Sequence, residues 1–349
     1  MSGRNKEQSM EVSSLSESAK PTAIRYRPNR LGHVNLFVGN YEETCRFLWE
    51  ICGLEATGLM PDIGSGFYSN GRTHHDIGFI ELDGYHRFKA KRTYTIVEPE
   101  SRGSGPGLNH FGWEMRTERD LVDAYHRALE HGISPRITNN GTSYSNYLFD
   151  PGGGQHQLYA DNELDWRTAY TGGTVDLHRP ANWTPGASSP SEEEMFTLDA
   201  DIRKHPDKPV SPRGVTHAMI LTGKFDDVYG FYNETLGLDG EIYTVEGRRI
   251  SWLYPLEDRP AVILVEKAGL DADEMHHASF ELWDDDDVDT IAERLEAAGA
   301  PPVARVKNPY KDSVFIANPD GLLFEFYKPL KPVSGEAIAQ YEHDGLMGL

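Results

Sequence analysis

Residues 318–327 read NPDGLLFEFY, and this stretch decides the fold of the chain. An Asn-Pro-Asp-Gly turn leads into an apolar strand that is interrupted by one carboxylate, Glu325. Residues 150–159, DPGGGQHQLY, repeat the turn and the strand with Gln157 at the position of Glu325. Proline and glycine beside Asp or Asn mark a tight turn, so each copy predicts a strand that follows a turn. Two copies in one chain indicate an internal repeat.

Around these turns, a strand that carries a histidine is followed by an amphipathic helix four times. The four strands are LGHVNLFV (31–38), LNHFGWEM (108–115), VTHAMIL (215–221) and HASFEL (277–282). Alternating residues behind each histidine predict half-buried strands, while polar caps and closing glycines bound the helices. The repeat therefore predicts an α+β fold of four βαβββ modules, paired into two domains with cupped mixed sheets.

Changes in composition along the chain mark the expected domain boundaries. The polar residues 1–28 predict a mobile N-terminal arm, and the first pair of modules covers residues 29–160. Residues 161–212 contain stretches rich in Pro, Ser and Gly, which indicate a linker or a surface excursion. The second pair of modules covers residues 213–330, and residues 331–349 form a tail with a short surface helix.

The charge of the chain excludes several classes of partner. Lys and Arg number 34 against 55 Asp and Glu, which gives a net charge of -21. Nucleic acids and anionic membrane surfaces need a basic patch, so neither is an expected partner. We find no run of about 18 apolar residues and no apolar signal segment. Cys45 and Cys52 lie too far apart along one predicted helix for a disulfide, and we expect a cytoplasmic protein.

Three side chains at matching repeat positions predict a metal site. His217, His277 and Glu325 would line the same cavity if paired modules form one cupped sheet. Two imidazoles and one carboxylate form the facial triad of non-haem Fe(II), although the same ligands also suit Mn(II) and Zn(II). A single histidine at a strand start is usually structural, but a carboxylate buried in an apolar run needs a partner. The combination favours metal ligation.

The stretches GVTHAMIL (214–221), MHHASFEL (275–282) and NPDGLLFEFY resemble the vicinal-oxygen-chelate superfamily, which includes glyoxalases, bleomycin-resistance proteins and dioxygenases. The two-domain layout resembles type I extradiol ring-cleaving dioxygenases. This resemblance implies Fe(II) or Mn(II) held by His217, His277 and Glu325, dioxygen as co-substrate and a small aromatic diphenol as substrate. A homo-oligomer is expected.

The chain departs from that family pattern in its C-terminal half. The resemblance implies an acid–base histidine near Pro260 and a tyrosine at the position of Phe315, ten residues before the Glu ligand. A ring-cleaving enzyme needs a base for the phenolic proton and an acid to return it. In the C-terminal half, His276 is the remaining candidate for that proton transfer.

The N-terminal half shows the opposite pattern. His75 and Tyr147 occupy the acid–base and tyrosine positions there, and His33 and His110 match the two histidine ligands. Gln157 replaces the carboxylate, as in lyases that resemble glyoxalase I, where Gln is a metal ligand. His33, His110 and Gln157 are therefore an alternative ligand set.

Three arrangements remain open from the sequence. The C-terminal set is catalytic, or the N-terminal set is catalytic, or the first and fourth modules pair and join His33 to His277 and Glu325, close to His75. The leading hypothesis is an Fe(II)-dependent extradiol dioxygenase, with His75 or His276 transferring protons and Tyr147 hydrogen-bonding to oxygen. The alternatives are an isomerase or lyase that uses a divalent metal to stabilise an enediolate, and a non-catalytic protein that binds aromatic compounds.

Overall fold

Two eight-stranded sheets organise the protein. The structure is a computed structural model that describes residues 23–91, 104–162, 166–168, 170–173, 183–194, 201–257, 259–331 and 335–346. Each sheet contains two βαβββ modules, so the predicted α+β fold is confirmed. No helix within these described ranges is long and apolar enough to cross a membrane.

The first sheet spans Arg30 to Asp161. Its strands are β1 (Arg30–Val38), β2 (Glu55–Met60), β3 (Ser65–Ser69), β4 (Ile77–Glu81), β5 (Gly107–Glu114), β6 (Arg136–Asn139), β7 (Ser143–Phe149) and β8 (Gln155–Asp161). Its helices are α1 (Tyr41–Arg46), which continues as a π-helical turn at Phe47–Ile51, α2 (Leu82–Lys91) and α3 (Glu118–Glu130). Short 3₁₀ turns lie at Pro61–Ile63 and, after this sheet, at Trp166–Thr168.

The second sheet repeats this order. Its strands are β9 (Gly214–Thr222), β10 (Asp239–Val245), β11 (Arg248–Tyr254), β12 (Val262–Glu266), β13 (Glu274–Glu281), β14 (Ala304–Lys307), β15 (Lys311–Ala317) and β16 (Leu323–Pro329). Its helices are α4 (Phe225–Gly230), which continues as a π-helical turn at Phe231–Leu236, and α5 (Val288–Ala297). Helix α6 (Gly335–Leu346) follows the last strand.

Strand order shows how the modules pair. The sheets run β2-β3-β4-β1-β5-β8-β7-β6 and β10-β11-β12-β9-β13-β16-β15-β14. In each sheet the first strands of two modules lie antiparallel at the centre, and each lies parallel to the last strand of its own module. The first module therefore shares a sheet with the second. The pairing of the first and fourth modules, which the sequence left open, is not the one adopted by the described strands.

Local sequence signals explain where the helices begin. The side chains of Asn40, Thr117 and Asp287 accept hydrogen bonds from backbone N–H groups three residues ahead. These N-caps satisfy donors that the first turn of a helix leaves unpaired. The helical segment that begins with α4 ends at Gly237, whose φ of 77° favours glycine.

Apolar clusters cover both faces of the sheets. The largest cluster joins the two sheets and their helices, and it buries Trp113, Tyr232 and Phe280. On the opposite face of the C-terminal sheet, Ala339 of α6 is fully buried against an apolar cluster that includes Trp252. The predicted short helix of the tail is confirmed: its apolar side packs on the C-terminal sheet through Ala339, while Glu336 and Gln340 are exposed.

The described parts of the expected arm and linker also pack on the domains. Ile24 and Tyr26 are buried, and the Tyr26 N–H donates to the Thr235 carbonyl over 3.0 Å. The ring of Trp183 stacks on Tyr144 with centroids 4.7 Å apart. Residues 23–28 are thus fixed to the C-terminal domain, whereas residues 1–22 of the expected mobile arm lie outside the described residues.

The loop between β3 and β4 connects the two domains. The Arg72 guanidinium lies 2.8 Å from the Glu257 carboxylate, and the Val215 N–H donates to Asp76 Oδ1 over 2.9 Å. Asn70 donates to the carbonyl of Pro212 over 2.9 Å. This loop of the first module is thereby tied to β9.

At the other end of the interface, Asp273 provides a test of how the domains meet. Its N–H donates to the Gly152 carbonyl over 3.1 Å, and burial and nearby Asp150 raise the pKa of Asp273 to about 7. The pKa of this carboxyl is higher in the folded state than its ordinary 3.8. The folded protein therefore loses stability as the pH rises from 3.8 to about 7, because the carboxyl ionises more readily in the unfolded chain.

We expect Asp273→Asn to raise Tm at pH 8 and to leave it unchanged at pH 4. Thermal unfolding at both pH values checks this, and an equal effect at both would contradict it.

Candidate functional site

The C-terminal donor set lies on the central strands of the second sheet. His217 is on β9, His277 on β13 and Glu325 on β16, and each is at most 3% exposed. His217 Nε2 lies 3.7 Å from Glu325 Oε2, and His277 Nε2 lies 3.5 Å from the same oxygen. Ser279 pairs with both His217 and Glu325 in the strand register, which sets the three donors side by side. The structure brings these three donors together, and their role as metal ligands stays a prediction.

Neighbouring groups hold the C-terminal donors in place. Thr216 Oγ1 lies 2.9 Å from His217 Nδ1, and Ser279 Oγ donates to Glu325 Oε2 over 2.7 Å. His217 Nε2 and His277 Nε2 are buried without a hydrogen-bond partner. Two such imidazole nitrogens beside a carboxylate are the chemistry of a divalent metal site, so the donor set fits one.

A lysine completes the C-terminal cluster. Lys311 Nζ lies 2.8 Å from Glu325 Oε1, and the two side chains are 4% and 0% exposed. Burial alone would raise the pKa of Glu325, but the Lys311 ammonium and His277 hold that pKa well below its usual range. The carboxylate is therefore ionised and already faces a cation. Lys311 alternates with Ser313 and Phe315 along β15, a period of two that places all three on the face of Glu325.

His276 lies behind the C-terminal set. Its Nδ1 is 2.7 Å from His277 Nδ1, and burial, together with His277, lowers its pKa to about 3. The structure thus brings His276 to the back of the His277 ring. Its assignment as a proton-transfer residue stays a prediction.

The alternative set converges in the first sheet. His33 Nε2 lies 3.4 Å from His110 Nε2, and His110 Nε2 lies 3.1 Å from Gln157 Oε1. His110 Nδ1 is 2.9 Å from Asn109 Oδ1, and Gln157 Nε2 donates to Ser145 Oγ over 2.9 Å. These outer contacts engage Nδ1 of His110 and Nε2 of Gln157. They leave Nε2 of His110 and Oε1 of Gln157 facing each other, and second-sphere partners orient metal ligands in this way. This donor set also fits a metal.

Two further histidines adjoin the N-terminal set. The rings of His33 and His75 have centroids 3.9 Å apart, and Phe67 stacks on the other side of His75 at 4.3 Å. Burial and the neighbouring imidazoles lower the pKa of His75 well below its usual range, and burial lowers that of His74 to about 3. Both rings are therefore neutral at pH 7. His33, His74 and His75 also offer nitrogen atoms within 4.8 Å of one another.

A cavity opens over the N-terminal set. Its volume is about 140 Å³, and its walls include His75, His110, Tyr147 and Gln157. An engineered cavity of about 150 Å³ binds benzene, so this space suits one aromatic ring. Arg136 also lines the cavity and lies 3.8 Å above the ring of Tyr147. The structure thus brings His75 and Tyr147 together with the alternative ligand set.

A glycine that the sequence argument did not single out makes room for the N-terminal set. Gly112 pairs with His33 in the strand register, and a Cβ at this position would lie 2.0 Å from the His33 ring. Any other residue would displace that imidazole. A glycine inside a strand often marks a place where another group packs closely against the backbone. The glycine in NHFGW (109–113) could therefore have indicated this contact from the sequence.

Both halves of the chain match one protein family. The model of the Glyoxalase/Bleomycin resistance protein/Dioxygenase superfamily matches residues 30–157 and 214–326. Among solved structures, the Mn(II)-bound glyoxalase from Novosphingobium aromaticivorans superposes with a TM-score of 0.58 at 14% identity, over 88% of this chain and 84% of that one. At this identity the superposition shows the fold alone.

Two curated relatives are dioxygenases by name. Biphenyl-2,3-diol 1,2-dioxygenase 2 from Rhodococcus globerulus is 33% identical over 103 residues, which are 28% of this chain and 54% of that protein. Catechol-2,3-dioxygenase from Bacillus subtilis (strain 168) is 26% identical over 146 residues, which are 41% of this chain and 46% of that protein. The chain spans about half the length of the curated relatives it matches.

Exchange of the neutral ligand tests the N-terminal donor set. Gln157→Glu would place a carboxylate beside His33 and His110, and Ser145 could donate its hydroxyl proton to it. We expect the affinity for Mn(II) to rise at least about tenfold, which corresponds to about 1.4 kcal/mol. Titration against a competing chelator measures this. Unchanged affinity would mean that residue 157 is not a ligand.

Proposed function

Since the chain belongs to the Glyoxalase/Bleomycin resistance protein/Dioxygenase superfamily, we propose that it is a metal-dependent dioxygenase that cleaves the ring of a small aromatic diphenol. The resemblance to the vicinal-oxygen-chelate superfamily is confirmed over both halves by the family match. We place the reaction in the N-terminal cavity. One observation carries this choice: metal donors, a neutral histidine outside the ligand set and a ring-sized cavity meet there.

In this proposal His33, His110 and Gln157 hold Fe(II), or alternatively Mn(II). A metal held there would supply Lewis acidity and would bring the diphenol and dioxygen together, so proximity would replace a three-body encounter. Gln157 contributes no charge, so an anionic diphenolate is the natural partner of this site. Arg136 at the cavity wall adds attraction for such an anion.

His75 is the residue we propose for proton transfer. Burial and the neighbouring imidazoles lower its pKa, so its ring is neutral; a bound diphenolate beside it would raise that pKa and let the ring take the phenolic proton and return it later. Tyr147 lines the same cavity and can donate a hydrogen bond to an oxygen of the substrate. The rings of Phe67 and Tyr170 give the cavity an aromatic wall. Relatives named for cleaving biphenyl-2,3-diol and catechol support this substrate class.

Loss of the proton-transfer group should separate turnover from metal binding. We expect His75→Phe to lower kcat by about 10²–10⁴-fold while metal content per chain stays constant, since general acid–base groups contribute that much. Steady-state assays on a catechol panel and elemental analysis measure the two quantities. The matched control is His276→Phe in the other domain, which should leave kcat unchanged. Equal effects of the two variants would exclude the proposed role of His75.

Location of the metal is tested by one alanine substitution in each sheet. We expect His33→Ala to lose bound iron and His217→Ala to retain it, because His33 is a ligand in the N-terminal set. Elemental analysis of the anaerobically loaded proteins gives the metal count, and anomalous scattering locates the ion. Loss of iron in His217→Ala alone would place the catalytic metal in the C-terminal set instead.

Gln157 also favours a second candidate function. A neutral ligand set suits an isomerase or lyase in which a divalent metal only polarises an enediolate oxygen. An oxygen electrode separates the candidates. Uptake of one dioxygen per diphenol with a yellow ring-opened product supports the dioxygenase. Turnover with Ni(II) or Zn(II) and without oxygen uptake supports the isomerase or lyase.

A further inference from the structure

Repeat-equivalent positions in the two sheets carry a compensating exchange of residues. Tyr147 pairs with Gln157 across β7 and β8, and Phe315 pairs with Glu325 across β15 and β16. Four residues before these aromatic residues stand Ser143 in the first sheet and Lys311 in the second. The half with the neutral amide therefore has a neutral hydroxyl at this position, and the half with the carboxylate has an ammonium.

The exchange leaves both clusters close to neutral before any metal binds. Lys311 Nζ contacts Glu325 Oε1 at 2.8 Å, and their side chains are 4% and 0% exposed. His217 and His277 contribute uncharged nitrogen donors on the other side of the carboxylate. In the first sheet, Ser143 lines the cavity above Gln157.

The exchange of Lys311 for Ser143 changes the electrostatic energy of a divalent cation at each donor set. A divalent ion at the C-terminal donors would share one carboxylate with a buried ammonium, and like charges in a dry interior repel strongly. At the N-terminal donors no side chain equivalent to Lys311 stands on β7, because that position is Ser143. A divalent cation would therefore meet a buried ammonium beside Glu325 but none on β7 beside Gln157, where the cation at the cavity wall is Arg136 of β6.

We propose that Lys311 is the built-in cation of the C-terminal site and decides which of the two donor sets takes up a metal. Glu325 then forms a buried ion pair with Lys311 that links β16 to β15, and the His217–His277–Glu325 set accepts a divalent ion only when the ammonium is removed. This inference leaves metal binding to the N-terminal half, which is also where the proposed function places the reaction. The role of Lys311 and the proposed function can nevertheless be refuted separately.

The test measures Mn(II) stoichiometry in a background without the N-terminal ligand. We expect His33→Ala to bind no Mn(II), and the double variant with Lys311→Met to bind one ion per chain. Addition of Glu325→Gln to that double variant should abolish binding again. Elemental analysis after gel filtration counts the ions, and electron paramagnetic resonance reports their ligand field. Lys307→Met, which removes an exposed lysine on the neighbouring strand β14, is the matched control and should gain nothing.

The outcomes separate this inference from the proposed function. One ion in the Lys311→Met chain and none in the otherwise unchanged chain would support the role of Lys311 and refute the N-terminal metal site. One ion in His33→Ala that is lost with His217→Ala would overturn the role of Lys311. If Lys311→Met does not fold, Lys311→Ser reproduces the residue of the first sheet. If the double variant of His33→Ala with either lysine substitution folds and still binds no Mn(II), the role of Lys311 is overturned.

Discussion

The antiparallel pairing of the first strands of two modules is the constraint on which both donor sets depend. In the first sheet it sets Asn35 opposite His110 and His33 opposite Gly112. Each first strand also lies parallel to the last strand of its module, so a third donor joins the two imidazoles. Side chains alternate along a strand, so a slip of one residue would turn every donor to the opposite face. Register, rather than sequence proximity, is what makes the clusters.

Burial of so many polar groups needs compensation, and the two halves use different means. In the C-terminal cluster the charge of Glu325 is balanced by Lys311 and by a hydrogen bond from Ser279. In the N-terminal cluster Gln157 carries no charge and burial lowers the pKa of His33, while His110 contacts Asn109 and Gln157 donates to Ser145. A buried charge without a partner costs far more than a buried amide, so these pairings explain how one fold tolerates both clusters.

The loop between β3 and β4 gives the two halves a common boundary. His75 on this loop borders the N-terminal cavity, and the next residue, Asp76, accepts a hydrogen bond from the first strand of the other sheet. Asp76 also accepts a hydrogen bond from Ser69 over 2.6 Å. The position of the His75 ring is therefore linked, through Asp76, to the packing of the two domains. The sequence alone does not show this link, because residues 76 and 215 are far apart in the chain.

Period-two alternation, caps and the repeated turn were enough to predict four modules with their first strands and helices, because each of these is a local pattern; the N-terminal donor set was implied by the family resemblance. Lys311 and Gly112 were missed because their importance arises only across strands, against Glu325 and His33. The tail shows a related limit: the sequence predicted a short helix with an apolar side but not which surface that side contacts. Module pairing and the cation beside each donor set were decided by tertiary structure, since charge and contact act through space between distant positions.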